Sequence, residues 1–220
     1  MDQIELKHIT KIYTNGVRAL HEVTFTLSQG ELAVVMGSSG SGKSTLLQVA
    51  GLLDKATTGE VRIGGEDVSG FSQVRLADVR MRRLGFIFQA FHLNPHLTLC
   101  ENIMVPMLIN DHFRNRKEMW NRAMDLMEQQ GIAHRKDHYP GQVSGGEQQR
   151  TAIARALAND PDFILADEPT GSLDSKNEQR IFEELKKLGT EGRGVLVVCH
   201  NEAVRDFADR LLIMKDGRLV

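Results

Sequence analysis

The chain has 220 residues, 41% of them hydrophobic, and a formal net charge of −2. That length suits about one to one and a half domains with a sizeable core, and the near-neutral charge offers no basic field for nucleic acid. Cys100 and Cys199 are too few for a disulfide framework and read as reduced thiols, while the charged start MDQIELKH and the lack of a window near ~18 apolar residues exclude a signal peptide and a membrane span, so the chain reads as soluble.

In chain order, ELAVVMG (31–37) predicts a buried strand, and STLLQVAG (44–51) a short helix with Leu46, Leu47 and Ala50 inward. EVRIGG (60–65) predicts a strand entering a turn, and LGFIFQ (84–89) a further strand. RKEMWNRAMDLMEQQG (116–131) predicts an amphipathic helix with a stripe of Met119, Trp120, Ala123, Met124 and Met127, closed by Gly131. The stretch VSGGEQQR (143–150) has capping-box spacing, Ser144 at N-cap and Glu147 at N3, ahead of a helix with Ala152, Ile153, Ala156 and Leu157 on one face. Gln148, Gln149, Arg150 and Arg155 are left for its other faces. DFILAD (162–167) predicts a buried strand and EQRIFEELKKLG (178–189) a helix with Ile181, Phe182, Leu185 and Leu188 inward. GVLVVCH (194–200) predicts a strand, EAVRDFAD (202–209) a helix, and RLLIMKDGRLV (210–220) a hairpin turning at Asp216-Gly217. Apolar strands alternating with helices predict an α/β chain with a largely parallel sheet covered on both faces.

GSSGSGKST matches G-x-x-x-x-G-K-[ST]. It runs from Gly37 through Ser38, Ser39, Gly40, Ser41, Gly42, Lys43 and Ser44 to Thr45, between a predicted strand and a predicted helix. Glycines let backbone N–H groups point at phosphate oxygens where a helix N-terminus adds partial positive charge. Lys43 would neutralise β- and γ-phosphates and the Ser44 hydroxyl would ligate Mg²⁺, so the loop predicts a nucleoside triphosphate site. FILADEP (163–169) ends a strand in two carboxylates. Asp167 is placed to hold Mg²⁺ and Glu168 to orient an attacking water. Gly145 and Gly146 each cost a helix roughly 1 kcal/mol against alanine, which a cap alone does not require.

Together these motifs resemble the ATP-binding subunit of an ABC transporter, with Gln89 after a core strand, SGGEQ (144–148), GSLD (171–174) and His200 completing the family's order. The pattern departs at Glu147, where glutamine is usual, and at CHN (199–201), where Asn201 replaces an aspartate and can still cap the helix that follows. The resemblance implies a P-loop NTPase core, RecA-like, with an antiparallel β subdomain and an inserted helical subdomain. It places the nucleotide-binding core in residues 1–89 and 142–220 and the helical subdomain in 90–141, all within one domain, 1–220. It also implies a homodimer that sandwiches two ATP molecules, each between the phosphate loop of one copy and Ser144, Gly145, Gly146 and Glu147 of the other. Tyr13 would stack on adenine, Gln89 would touch Mg²⁺ and the attacking water, His200 would contact the γ-phosphate, and Asp174 would tie the two sites together.

The run AFHLNPHLTLCENIMVPML (90–108) would form a groove for an integral membrane permease-like subunit, holding the chain on the inner, cytoplasmic face of the cell membrane. That run, with LGFIFQ and ADEPTGSLD, is most similar to the lipoprotein-releasing and macrolide-efflux branch, with the cell-division branch as the alternative. DNA-repair relatives insert a long coiled coil, translation-associated relatives carry two ATPase units, and a small-molecule kinase would have no use for SGG. His92, His96, His134 and His138 have no metal-ligand spacing.

Overall fold

In a computed structural model of the chain, residues 2–171 and 174–220 are described. Six strands form the main sheet: β3 (Leu32–Met36), β6 (Leu84–Phe88), β7 (Phe163–Asp167), β8 (Gly194–Cys199), β9 (Arg210–Lys215) and β10 (Arg218–Leu219). Their order is β10-β9-β3-β8-β7-β6, with all neighbours parallel except β10 on β9. A second, antiparallel sheet has the order β2-β1-β4-β5, from β1 (Gln3–Ile12), β2 (Arg18–Ser28), β4 (Thr58–Ile63) and β5 (Glu66–Asp67).

The central strands β3, β7 and β8 are apolar on both sides because each side is covered, whereas β9 at the margin alternates towards solvent. On β3, Leu32, Val34 and Met36 enter one core while Ala33 and Val35 enter the other. The second core is closed by the antiparallel sheet and by α1 (Lys43–Ala50), which buries Leu46, Leu47, Val49 and Ala50. The first is closed by α3 (Leu99–Met104), α4 (Arg116–Gln129), α5 (Gly145–Ala156) and α6 (Ser175–Thr190). The remaining helix, α2 (Gln73–Arg83), buries Leu76 alone.

The predicted strands and the helices at α1, α4, α5 and α6 are present, as is the hairpin at Asp216-Gly217. Four details differ. Trp120 is 44% exposed, and Leu126 joins Ala123 and Met127 in the buried stripe of α4. Gln149 is fully buried, since α5 packs against β6, α3 and α4 at once. Residues 202–207 form a 3-10 turn, whose tighter pitch buries Val204 while returning the chain to β9 within a few residues. β1 and β2 break simple alternation through register shifts, with His8 and Glu22 at positive φ, so that Ile9, Thr10 and Lys11 are buried in succession.

Phe182 lies at the centre of the first core, fully buried and 5.8 Å from the ring of Phe207. Phe182→Ala is expected to lower unfolding stability by about 3–5 kcal/mol in denaturant titration, the range for deleting a buried aromatic ring.

Candidate functional site

Register alone gathers the chemistry. Met36 pairs with Cys199, Asp167 with Val198, and Phe88 with Asp167. The residues that follow these strand ends, Gly37, His200, Glu168 and Gln89, therefore emerge along one edge, where ligands collect in open α/β sheets.

The loop from Gly37 leads into α1 through Gly42, whose φ of 107° is a left-handed conformation that a side chain would strain. A Cβ there would also lie 2.6 Å from the Ala19 carbonyl, and one on Gly37 would lie 2.3 Å from the Met214 carbonyl. Ser38, Ser39 and Gly40 are exposed at the crest, whereas Ser41 is buried, its hydroxyl without a partner among the described residues. Lys43 is buried and donates from Nζ to the carbonyls of Gly37 (2.8 Å) and Ser38 (3.0 Å), so its charge sits inside the curve of the loop. Ser44 donates to Asp167 Oδ1 at 3.1 Å. Burial pushes the Asp167 carboxyl up, the Ser44 hydrogen bond and the nearby Lys43 pull it back, and Glu168 adds to the upward push. A hydroxyl and a partly buried carboxylate side by side are the hard oxygen donors that Mg²⁺ prefers.

Glu168 adopts φ of 45°, an uncommon conformation for a residue with a side chain, and its N–H donates to the Val198 carbonyl at 2.8 Å. Its Oε2 lies 2.9 Å from His200 Nδ1. Gln89 is exposed and its amide lies over Gly171, where a Cβ would stand 2.8 Å from Nε2. Tyr13 sits in the turn between β1 and β2, its hydroxyl 3.3 Å from Thr45 Oγ1 and its ring under Lys11 Nζ at 5.0 Å. The structure thus draws Tyr13, the phosphate loop, Asp167, Glu168, His200 and Gln89 to one margin of the sheet.

The capping box at Ser144 forms as the spacing predicts. Ser144 N and Oγ both donate to Glu147 Oε2 at 2.8 Å, and Glu147 N donates back to Ser144 Oγ at 3.3 Å. Arg135 Nε donates to Glu147 Oε1 at 2.8 Å. Gly146 is buried against α6, and a Cβ would stand 3.2 Å from the Asn177 side chain, so packing supplies one reason for that glycine. Asp174 caps α6, accepting from Asn177 N (3.0 Å) and Asn177 Nδ2 (2.7 Å). Ser172 and Leu173 of the GSLD motif lie outside the described residues.

Three polar links had no sequence signal. Gln149 Nε2 donates to the Pro169 carbonyl at 2.6 Å, with its Oε1 buried and without a partner among the described residues. Arg155 donates to the carbonyls of Phe91 (2.6 Å) and His92 (2.5 Å), both residues at positive φ. Glu178 accepts from Thr170 and from Asn201. Each joins residues far apart in sequence, and only the fold brings them together. Beside them, burial pushes the Cys199 thiol up to about 11, which keeps it protonated and weakly nucleophilic at neutral pH.

A largely apolar groove of about 440 Å³ opens on another face. His92, Val105 and Pro106 line it from the 90–108 run, but Ala77 and Met81 of α2 and Phe88 of β6 contribute as much. Leu108 and Ile109 are exposed nearby, at 66% and 75%.

The family described as "ABC transporter" matches residues 20–171. The chain belongs to the ABC transporter family. It is 44% identical to the macrolide export ATP-binding/permease protein MacB of Chlorobaculum tepidum, over 99% of this chain and 33% of that protein. It is 43% identical to the lipoprotein-releasing system ATP-binding protein LolD of Geobacter metallireducens, over 99% of this chain and 97% of that one. Among solved structures it is similar to the ATP-binding cassette MJ0796, described as a dimer in a post-hydrolysis state bound to ADP and Pi. The TM-score is 0.91 at 41% identity, covering 98% and 96% of the two chains. The fold expected from the motifs is the one observed, and the chain is an ATP-binding, ATP-hydrolysing subunit of an ABC transporter. Among the described residues no helix is long and apolar enough to cross a membrane.

The Glu147 contacts carry a pH signature. Hydrogen bonds from Ser144, first its backbone N–H, together with Arg135, hold the carboxyl at about 2, below its ordinary 4.5. A depressed carboxyl stabilises the fold above its unfolded value and loses that contribution as pH falls towards the folded one. Glu147→Gln is therefore expected to cost about 1–2 kcal/mol at pH 7, with the difference from wild type narrowing between about pH 5 and 2 in denaturant titrations.

Proposed function

We propose that this chain drives a membrane complex by closing as a head-to-tail pair around two ATP molecules, in the manner of exporters and lipoprotein-releasing systems. The observation that carries the proposal is the shared strand edge, where Lys43, Ser44 and Asp167 adjoin the Glu168–His200 pair. Lys43 opposes the charge of the β- and γ-phosphates, with the N–H groups from Ser38 to Thr45 around them. Ser44 and Asp167, with Gln89 nearby, would hold Mg²⁺, which supplies neutralisation of phosphate charge. Glu168 takes the proton of the attacking water, and His200, braced by Glu168, faces the γ-phosphate. Tyr13 offers its ring to adenine. Ser144, Gly145, Gly146 and Glu147 of one copy face the nucleotide held by the other, and Asp174 lies at the seam.

Residues 90–141 are read as a helical unit that moves against a core of residues 1–89 and 142–220. The apolar groove takes a segment of an integral membrane permease-like subunit, which keeps the chain at the inner face of the cell membrane. The likenesses to MacB and LolD favour export or extraction at the membrane as the coupled work.

Glu168→Gln preserves shape and removes the proton acceptor, so ATP hydrolysis is expected to fall about 10²–10⁴-fold while ATP still binds. The variant should accumulate as a dimer with ATP in light scattering, and adding Gly145→Asp should return it to monomer with ATP affinity nearly intact. A double variant that still dimerises with ATP would mean that Gly145 does not face a partner's nucleotide. Lys43→Ala is expected to abolish ATP binding, measured by fluorescence with a labelled nucleotide; wild-type affinity in that variant would remove Lys43 from the site.

A further inference from the structure

The segment after Glu168 and the loop carrying His200 share one anchor. Thr170 is buried and donates from Oγ1 to Glu178 Oε1 at 3.0 Å. Asn201 donates from Nδ2 to that same oxygen. Glu178 stands in the first turn of α6, a helix fixed in the first core by Ile181, Phe182, Leu185 and Leu188. With Glu168 and His200 in contact at 2.9 Å, these five polar side chains wall a cavity of about 230 Å³.

The orientation of Asn201 follows from its other arm. Its Oδ1 accepts from Ala203 N at 2.8 Å and caps the 3-10 turn, which leaves Nδ2 for Glu178. Position 201 therefore needs one acceptor arm and one donor arm, and asparagine has both. An aspartate, the residue usual in the motif that CHN resembles, would keep the cap but set a second carboxylate oxygen against Glu178. That arrangement is repulsive unless the pair holds a proton.

We propose that Glu178 is a positioning residue for ATP hydrolysis, acting through Asn201 on His200 and through Thr170 on Glu168. Glu178 and Asn201 are a matched acid–amide pair that this chain uses in place of the aspartate. The proposal rests on the roles given above to Glu168 and His200. It accounts for the departure at position 201 by a partner 23 residues away, on a helix whose start is capped by Asp174 of the GSLD motif. A carboxylate that misplaces the loop should slow the chemical step and spare ATP binding, because the hydrogen bonds of Glu178 run to Thr170 and Asn201 and, among the described residues, not to the phosphate loop.

The test is a charge swap in the full chain, reading kcat for ATP and the affinity for labelled nucleotide. N201D is expected to lower kcat by roughly tenfold or more, the scale of a small misplacement of catalytic groups, with affinity within about twofold of wild type. E178Q/N201D restores a donor–acceptor pair with its polarity reversed, and should recover kcat to within about threefold of wild type. E178A should resemble N201D and gain nothing from the added N201D change. N201D with wild-type kcat, or a swap no faster than N201D alone, would overturn the pairing. A loss confined to affinity would overturn the positioning role. If wild type itself does not hydrolyse ATP, the roles of Glu168 and His200 fail separately, and the pairing is then judged by thermal unfolding. There N201D should lower Tm and the swap should recover it, and an unrecovered Tm would overturn it.

Discussion

Parallel register is the constraint on which the rest depends. In a parallel ladder every strand leaves the sheet in the same direction, so four separate segments surrender their next residue at one edge. Met36, Phe88, Asp167 and Cys199 are the last residues of those strands. A one-residue slip would turn each following side chain to the opposite face and empty both cores, because Leu32, Val34 and Met36 pack on one side while Ala33 and Val35 pack on the other. The burial that stabilises the fold thus also fixes the chemistry to within a residue. Neither can be changed alone.

At the edge itself, charge is handled by proximity to backbone and not by large ion-pair networks. Lys43 rests on two carbonyls, Ser44 reaches Asp167, and Glu168 is bent into an uncommon conformation tied back to Val198. Such strain persists only where surrounding structure over-determines it. Here the fully buried β8 on one side of β7 and the mostly buried β6 on the other supply that rigidity.

What could be read from the residues was whatever short-range physics governs. The phosphate loop, the capping box at Ser144 and the turn at Asp216-Gly217 are complete within a few positions, and all three are present. The buried strands were legible because both of their faces are apolar. β1 and β2 were not, since bulges at His8 and Glu22 break their alternation. α2 was missed for the opposite reason, as it buries a single side chain and lies against the groove as a polar helix. Trp120 misled because a stripe on a helical wheel does not say how wide the contact is. The links from Gln149, Arg155 and Glu178 join positions 8 to 64 residues apart, which no local pattern encodes.

The bond from Gln149 to the Pro169 carbonyl gives α5 the mechanics of a lever. Its fulcrum lies about one turn from the helix start, so a small tilt at Gly145 is passed to the backbone directly behind Asp167 and Glu168. Among the described residues the other polar atom of Gln149 has no partner, and an unsatisfied buried acceptor costs about 1–3 kcal/mol. A tilt of α5 would thus reach the strand end through a directional bond as well as through side-chain packing.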